Sequence, residues 1–364
     1  MSSVSPKVSP CAKLRSNIAF LDLKPFGLPL VGLVLAVSGY LFAQNWWGNW
    51  FFLAIYSGGA VVIVGSWLYW RCVDSPLNLL PAAFLLLYYT HIPDKLAALL
   101  TFMKTTATYD AFLLYVDRSF GFSPSILVSR WVSSVHLLQI FFWIYLALSI
   151  AIGACFAAHI RQEEPPWRIV VVLFAAVVIG ALCYNLLPAC GPRMLLGGND
   201  FYSGDAFAAF PGTQPAMVAV TPKYPRNAMP SLHMTWALLV LWISRDLGRG
   251  HWLAAIFAFF TAVATLSIGE HYLVDLVVAF PFALAIWNLC IGDVPLSHPK
   301  RTLTVAGGAC VYLAWTAAIR FSPTIFYASP VIPWLASAAT VAGTLFIVYS
   351  QPAIPFANRE ATSS

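Results

Sequence analysis

Two histidines stand where apolar stretches begin, in Pro230-Ser231-Leu232-His233 and in His271-Tyr272-Leu273-Val274-Asp275. A basic residue closes another apolar stretch at Gly191-Pro192-Arg193. An ionisable group near the centre of a bilayer costs about 2.5–3.5 kcal/mol on insertion scales, so such groups are ordinarily kept for a function. Two imidazoles, a carboxylate and a guanidinium together suit the holding and transfer of a phosphoryl group.

His271 and Asp275 are four apart, so they share a helix face. A carboxylate there can accept Nδ1–H, fix the tautomer and leave Nε2 as nucleophile. A satisfied, buried His–Asp pair is the structural alternative. Pro230 suits the first helical position, where no N–H is lost. Ser231 and Leu232 would then offer backbone N–H groups to an anion, with the Ser231 hydroxyl as a further donor. His233, one residue on, could protonate a leaving oxygen and later activate an acceptor; the alternative is a capping serine beside an interfacial histidine. Arg193 can grip phosphate oxygens with its planar fork, or simply snorkel. Lys223 and Arg226 are weaker phosphate ligands that could equally contact lipid headgroups. Glu270 is expected to face water, and Cys190 to be a small packing residue. There is no H-x-x-x-H or H-E-x-x-H, so neither a metal nor a cofactor is expected.

The elements that carry these residues follow from composition. The 364-residue chain is 60% hydrophobic and only 9% charged, and its mean hydropathy is +0.77. A soluble domain is typically about 25% charged, so the chain reads as a multi-pass membrane protein. Its apolar runs lack period-2 alternation, which selects helices over a barrel. The expected fold is all-α, a polytopic transmembrane bundle of about ten spans. The runs lie near 26–43, 50–70, 77–91, 131–158, 167–187, 229–244, 252–268, 272–291, 303–320 and 331–349. The net charge of +6 is assigned to the positive-inside rule rather than to affinity for an anionic lipid or substrate, and no nucleic-acid partner is expected. None of the seven cysteines forms a C-x-x-C, and no disulfide framework is expected.

The expected organisation is a polar cytoplasmic N-terminus (1–24), then N-terminal spans plus interfacial helices (25–130). A six-helix catalytic core (131–291, with a possible start near 110), two C-terminal spans (292–350) and a polar tail (351–364) follow. Trp46, Trp47 and Trp50 read as an interfacial belt. Asp110 and Asp117 are seven apart on one helix face, read as the solvated face of one or two helices lying in the outer interface, with the roof of a site as the alternative. Chain direction brings the motifs together. The fifth span ends at Arg193, the sixth starts at Pro230 on the same side, and the seventh returns to deliver His271. All three motifs should meet at one membrane face, the outer, periplasmic or lumenal one by the charge rule.

At these residues the chain resembles the type-2 phosphatidate phosphatase superfamily, whose motifs read K-x6-R-P, P-S-G-H and S-R-x5-H-x3-D. Here they stand as Pro188-Ala189-Cys190-Gly191-Pro192-Arg193, Pro230-Ser231-Leu232-His233 and Ser267-Ile268-Gly269-Glu270-His271-Tyr272-Leu273-Val274-Asp275. The resemblance covers roughly residues 110–290. It implies His271 as nucleophile, Asp275 as its partner, His233 as acid and base, and Arg193 and Ser231 as phosphate ligands. Leu186 replaces the first motif's lysine, Leu232 the glycine, and Thr265 the third motif's arginine. P-S-L-H with H-Y-x-x-D looks more like the branch of inositol phosphorylceramide synthases and their bacterial relatives.

A phosphate monoester is a dianion and calls for several cations, whereas a diester is a monoanion and calls for fewer. The expected activity is therefore a lipid phosphatase or phosphotransferase that leans towards moving a headgroup from a phospholipid donor to an alcohol or lipid acceptor. Water as acceptor would make it a phosphatase for phosphatidate or polyprenyl phosphates. A lipid transporter or scramblase using the polar cluster for binding is the alternative of a different class.

Overall fold

In a computed structural model, residues 107–159, 167–198, 200–203, 216–221, 225–291 and 294–352 are described. The expected polar N-terminus, the first three expected spans, the tryptophan belt, Lys223 and the C-terminal tail beyond 352 lie outside them. The helices are α1 (Asp110–Arg118), α2 (Pro124–Ser134), α3 (Leu138–Leu146), α4 (Leu148–His159), α5 (Trp167–Cys183), α6 (Pro192–Leu195), α7 (Asp200–Ser203), α8 (Leu232–Ile243), α9 (Arg249–Ser267), α10 (Leu273–Cys290), α11 (Pro299–Phe321) and α12 (Val331–Ser350). One small departure from an all-helical chain is a two-residue ribbon. β1 (Ala107–Thr108) pairs antiparallel with β2 (Val218–Ala219), tying the start of α1 to the segment that precedes α8.

Five of the described helical stretches are long and apolar enough to cross a membrane: Leu138–Phe156, Arg249–Ser267, Leu273–Cys290, Pro299–Phe321 and Val331–Ser350. α5 is apolar but shorter, and α8 has only 12 residues. The run expected as one span over 131–158 is broken. α2 ends at Ser134, His136 takes a positive φ of 55°, and the helix restarts at Leu138. Ser133, Ser134 and His136 supply the weak helix formers at which it breaks.

Two helices form the centre. In α10, 78% of the spanning window is buried by protein, against 22–33% in the other four. α8 is buried at every residue except His233. An apolar helix with no polar stripe must be covered all round, and α10 is covered by α8, α11, α12 and α5. α11 approaches it closely: a Cβ on Gly308 would lie 2.6 Å from the Pro281 carbonyl oxygen and 3.0 Å from the Ala285 nitrogen. α8 and α10 both begin at the same end of the bundle, and Trp242 meets Trp287 edge-on, 6.0 Å between centroids, near their far ends. Also at that far end, Arg245 donates to the Val348 and Gln351 carbonyls (3.0 and 2.6 Å) and Arg301 to the Asn288 and Leu289 carbonyls (2.6 and 3.0 Å). Arginines there close helix C-termini. His233 and His271 lie at the other end.

Candidate active site

The loops before α6, α8 and α10 meet, as chain direction predicts. The Arg193 N–H donates to the Gly269 carbonyl (2.9 Å), the Ala228 N–H to the Ala189 carbonyl (2.9 Å) and the Ser231 N–H to the Asp275 carbonyl (3.3 Å). Two glycines allow this approach. Gly191 has φ +103°, and a Cβ there would collide with the Glu270 carbonyl oxygen. Gly269 has φ +73°, and its Cβ would sit 2.6 Å from the Phe201 ring and 2.8 Å from the Arg193 Cβ. Each glycine supplies a left-handed backbone and the space the opposite loop occupies.

His271 is buried in the turn between α9 and α10. Its Nδ1 lies 2.9 Å from the Ala228 carbonyl oxygen, and the Asp275 carboxylate is farther, at 3.5 Å. A carbonyl only accepts, so Nδ1 carries the hydrogen and Nε2 keeps its lone pair. Burial pushes the imidazole down to about 4, against the opposing pull of the Glu270 carboxylate and the Ala228 hydrogen bond. Asp275 is drawn instead to the backbone: its Oδ2 accepts the Tyr272 N–H at 2.9 Å and so helps cap α10.

His233 projects from the first turn of α8. Its ring stacks on Tyr145 of α3, 3.8 Å between centroids and 19° from parallel, with the edge of Trp236 at 6.1 Å. The centroids of the two imidazoles are 6.4 Å apart. Ser231, rather than a residue before it, is the N-cap of α8: its Oγ accepts the Met234 N–H at 3.3 Å. Pro230 therefore precedes the cap and does not take the first helical position. The Ser231 N–H is already given to Asp275, which leaves Leu232 and His233 to present the orphan N–H groups of the helix start.

Arg193 lies on α6 with its side chain partly exposed. Its Nη1 is 3.8 Å from Glu270 Oε1, its guanidinium sits 5.8 Å from the Tyr202 ring centroid, and its buried Nε has no hydrogen-bond partner among the described residues. Glu270 thus faces the arginine rather than open water alone. Burial raises its carboxyl above the ordinary range, while His271 and Arg193 oppose the rise. Arg226 is buried, and its guanidinium donates to the Val220 carbonyl (2.8 Å), the Thr221 carbonyl (3.3 Å) and Cys190 Sγ (2.7 Å). It thereby braces its own loop. Leu186 and Thr265, at the positions of the two missing cations, do not supply replacements: Leu186 is partly exposed, and the Thr265 hydroxyl donates to Ala262 in its own helix.

Asp110 and Asp117 correct an expectation. The face of α1 that carries them is buried, not solvated. Asp110 accepts the Cys190 and Gly191 N–H groups (3.0 and 2.8 Å) and the Tyr272 hydroxyl (3.1 Å). Asp117 accepts the Leu273 N–H (2.9 Å) and the Ser125 hydroxyl (3.0 Å). Seven-residue spacing identifies a shared face but is silent on what covers it. The stacking of Tyr145 on His233 and the role of Gly269 had no signal in the sequence beyond an aromatic and a glycine at unremarked positions.

Paired imidazoles and an arginine thus gather at one end of a bundle whose apolar helices include five long enough to cross a membrane. Residues 111–289 match the family model described as the PAP2 superfamily, whose members are phosphatases or phosphotransferases. The match runs from α1 to the end of α10 and supports a lipid phosphatase or phosphotransferase kind of function. No curated protein and no solved structure matches the chain.

Proposed function

We propose that this protein is an integral membrane phosphotransferase that opens a lipid phosphodiester through a phosphohistidine on His271 and passes the headgroup to an alcohol. The carrying observation is the pairing, 6.4 Å between ring centroids, of His271, whose tautomer is fixed by Ala228, with His233, whose ring is held by stacking on Tyr145. One imidazole is set as nucleophile, and the other is left to exchange protons.

In the proposed cycle, His271 Nε2 attacks phosphorus and the P–O bond to the lipid alcohol breaks. His233, protonated beside the anionic phosphate, gives its proton to the leaving oxygen. The acceptor hydroxyl then gives its proton to His233, its oxygen attacks phosphorus, and the N–P bond breaks. Arg193, with its unpartnered Nε, the orphan N–H groups at the start of α8 and the Ser231 hydroxyl hold the non-reacting oxygens. Asp275 offsets the positive charge on the phosphorylated imidazole. Lys223 and Arg226 are proposed as secondary sources of positive charge, Arg226 from behind the loop that it braces. The site is proposed to open on the outer, periplasmic or lumenal face, with the catalytic unit starting at α1.

The lean towards a diester rests on charge. Arg193 is faced by a carboxylate at 3.8 Å, and Leu186 and Thr265 add none of the charge a dianion calls for. Water as acceptor gives the second reading, a phosphatase for phosphatidate or polyprenyl phosphates.

Mass spectrometry of products from purified full-length protein tests both. The protein is given lipid phosphates and phosphodiesters, in chelator, with and without ceramide, diacylglycerol or inositol. A new lipid carrying the donor's headgroup is expected. Free phosphate from monoesters alone would establish the phosphatase and overturn the charge argument. Turnover that survives His271→Ala would overturn the mechanism in either form and favour a binding or transport role.

A further inference from the structure

We propose that Asp110 is a positioning residue that locks the Arg193 loop to the His271 loop. Its carboxylate is fully buried and, besides the neighbouring Thr108 hydroxyl, takes three donors from two segments far apart in sequence. The N–H groups of Cys190 and Gly191, at 3.0 and 2.8 Å, belong to the loop that ends in Arg193. The hydroxyl of Tyr272, at 3.1 Å, belongs to the residue that follows His271. Buried N–H groups must be paired, and here the partner of two consecutive ones is a side chain rather than a helix or sheet. A carboxylate accepts at both oxygens and donates at neither when ionised, which matches a ring of donors.

The rest of α1 makes the lock rigid. Asp117 lies two turns on, about 10 Å along the axis. It takes the Leu273 N–H at 2.9 Å, so the same helix face also holds the first turn of α10. β1, immediately before α1, is paired with β2, and the Tyr109 N–H donates to the Pro188 carbonyl at 2.9 Å. α1 therefore fixes the arginine loop at one end and the nucleophile's helix at the other. The separation between a phosphate-gripping guanidinium and an attacking nitrogen is the quantity such a bar controls. Misplacement of a reacting group by about 1 Å can cost on the order of 10²-fold in rate.

The inference rests on the reading of Arg193 and His271 given above, and its test separates the two. Full-length Asp110→Asn, Asp110→Glu and Tyr272→Phe proteins are compared with the wild type by hydrogen exchange and by phosphoenzyme formation from a phospholipid donor. Asp110→Asn turns one acceptor into a donor facing N–H groups. Its peptides over 188–196 and 268–274 should exchange faster while those of α12 do not change. The rate of phosphoenzyme formation should fall by about 10²-fold at unchanged amplitude, with a smaller fall in Tyr272→Phe and partial recovery in Asp110→Glu. Lost amplitude at an unchanged rate would mean that Asp110 only keeps the protein folded, and would overturn the proposal. So would unchanged exchange in both loops of either Asp110→Asn or Tyr272→Phe. If the wild type forms no phosphoenzyme, the catalytic reading fails, while the exchange arm still decides whether the lock exists.

Discussion

His271 gives its Nδ1–H to the backbone carbonyl of Ala228, 2.9 Å away, and only secondarily faces Asp275, at 3.5 Å. A side-chain substitution cannot remove that carbonyl. Where a carboxylate alone fixes a catalytic imidazole's tautomer, its amide variant loses about 10⁴-fold. Asp275→Asn should lose clearly less than this, because the tautomer survives, while His271→Ala should fall to background. Steady-state kcat for the two variants, beside their thermal unfolding, checks the ordering. An Asp275→Asn loss as deep as that of His271→Ala would assign the orienting role to the carboxylate.

The stacked His233 is the proposed acid, and general acids typically contribute about 10²–10⁴-fold. His233→Ala should lose activity within that range on a lipid whose leaving group is an alkyl alcohol. It should recover most of it on an aryl phosphodiester, whose leaving oxygen needs no proton. Tyr145→Leu, which removes the stacking partner at 3.8 Å, should show the same pattern more weakly, and Tyr145→Phe should not. Rates on the two substrates provide the comparison.

Glu270 stands 3.8 Å from the Arg193 guanidinium. Replacing a carboxylate with an amide there removes negative charge where a dianionic monoester would bind. Glu270→Gln should therefore raise kcat/KM for phosphatidate relative to a phosphodiester donor by several-fold, the sign expected of a like-charge contact. A ratio that stays constant or falls would remove Glu270 from substrate selection.

The proposed nucleophile must be neutral, and burial holds His271 down to about 4. The sign follows directly. Above that value Nε2 has its lone pair, and as pH falls through it the imidazole takes a proton and attack stops. A direct titration of the His271 imidazole by NMR of the full-length protein should have its midpoint near pH 4 rather than near the ordinary histidine value of about 6.5. A midpoint near 6.5 would show His271 to be more open to water than its burial implies.

Much of the protein is legible in the chain. The apolar runs from 138 onwards and the types of ionisable group available both follow from local pattern. So does the meeting of Arg193, His233 and His271, because the direction of successive helices decides which ends share a face. Local pattern failed where partners are remote. Spacing of four pairs His271 with Asp275, yet the group that takes Nδ1–H is 43 residues away. Spacing of seven put Asp110 and Asp117 on one face, yet what covers that face includes Tyr272, 162 residues from Asp110.

The sequence by itself therefore determined the helical membrane architecture, the chemistry available and the end of the bundle where it gathers. Helical periodicity and transfer from water act over a few residues and leave their mark in composition and order. Only the tertiary structure decided which atoms pair. Two interlocked glycines, a carbonyl before α8 and a buried aspartate on α1 join the segments that carry Arg193, His233 and His271, and these contacts depend on loops that acquire their shape only against one another.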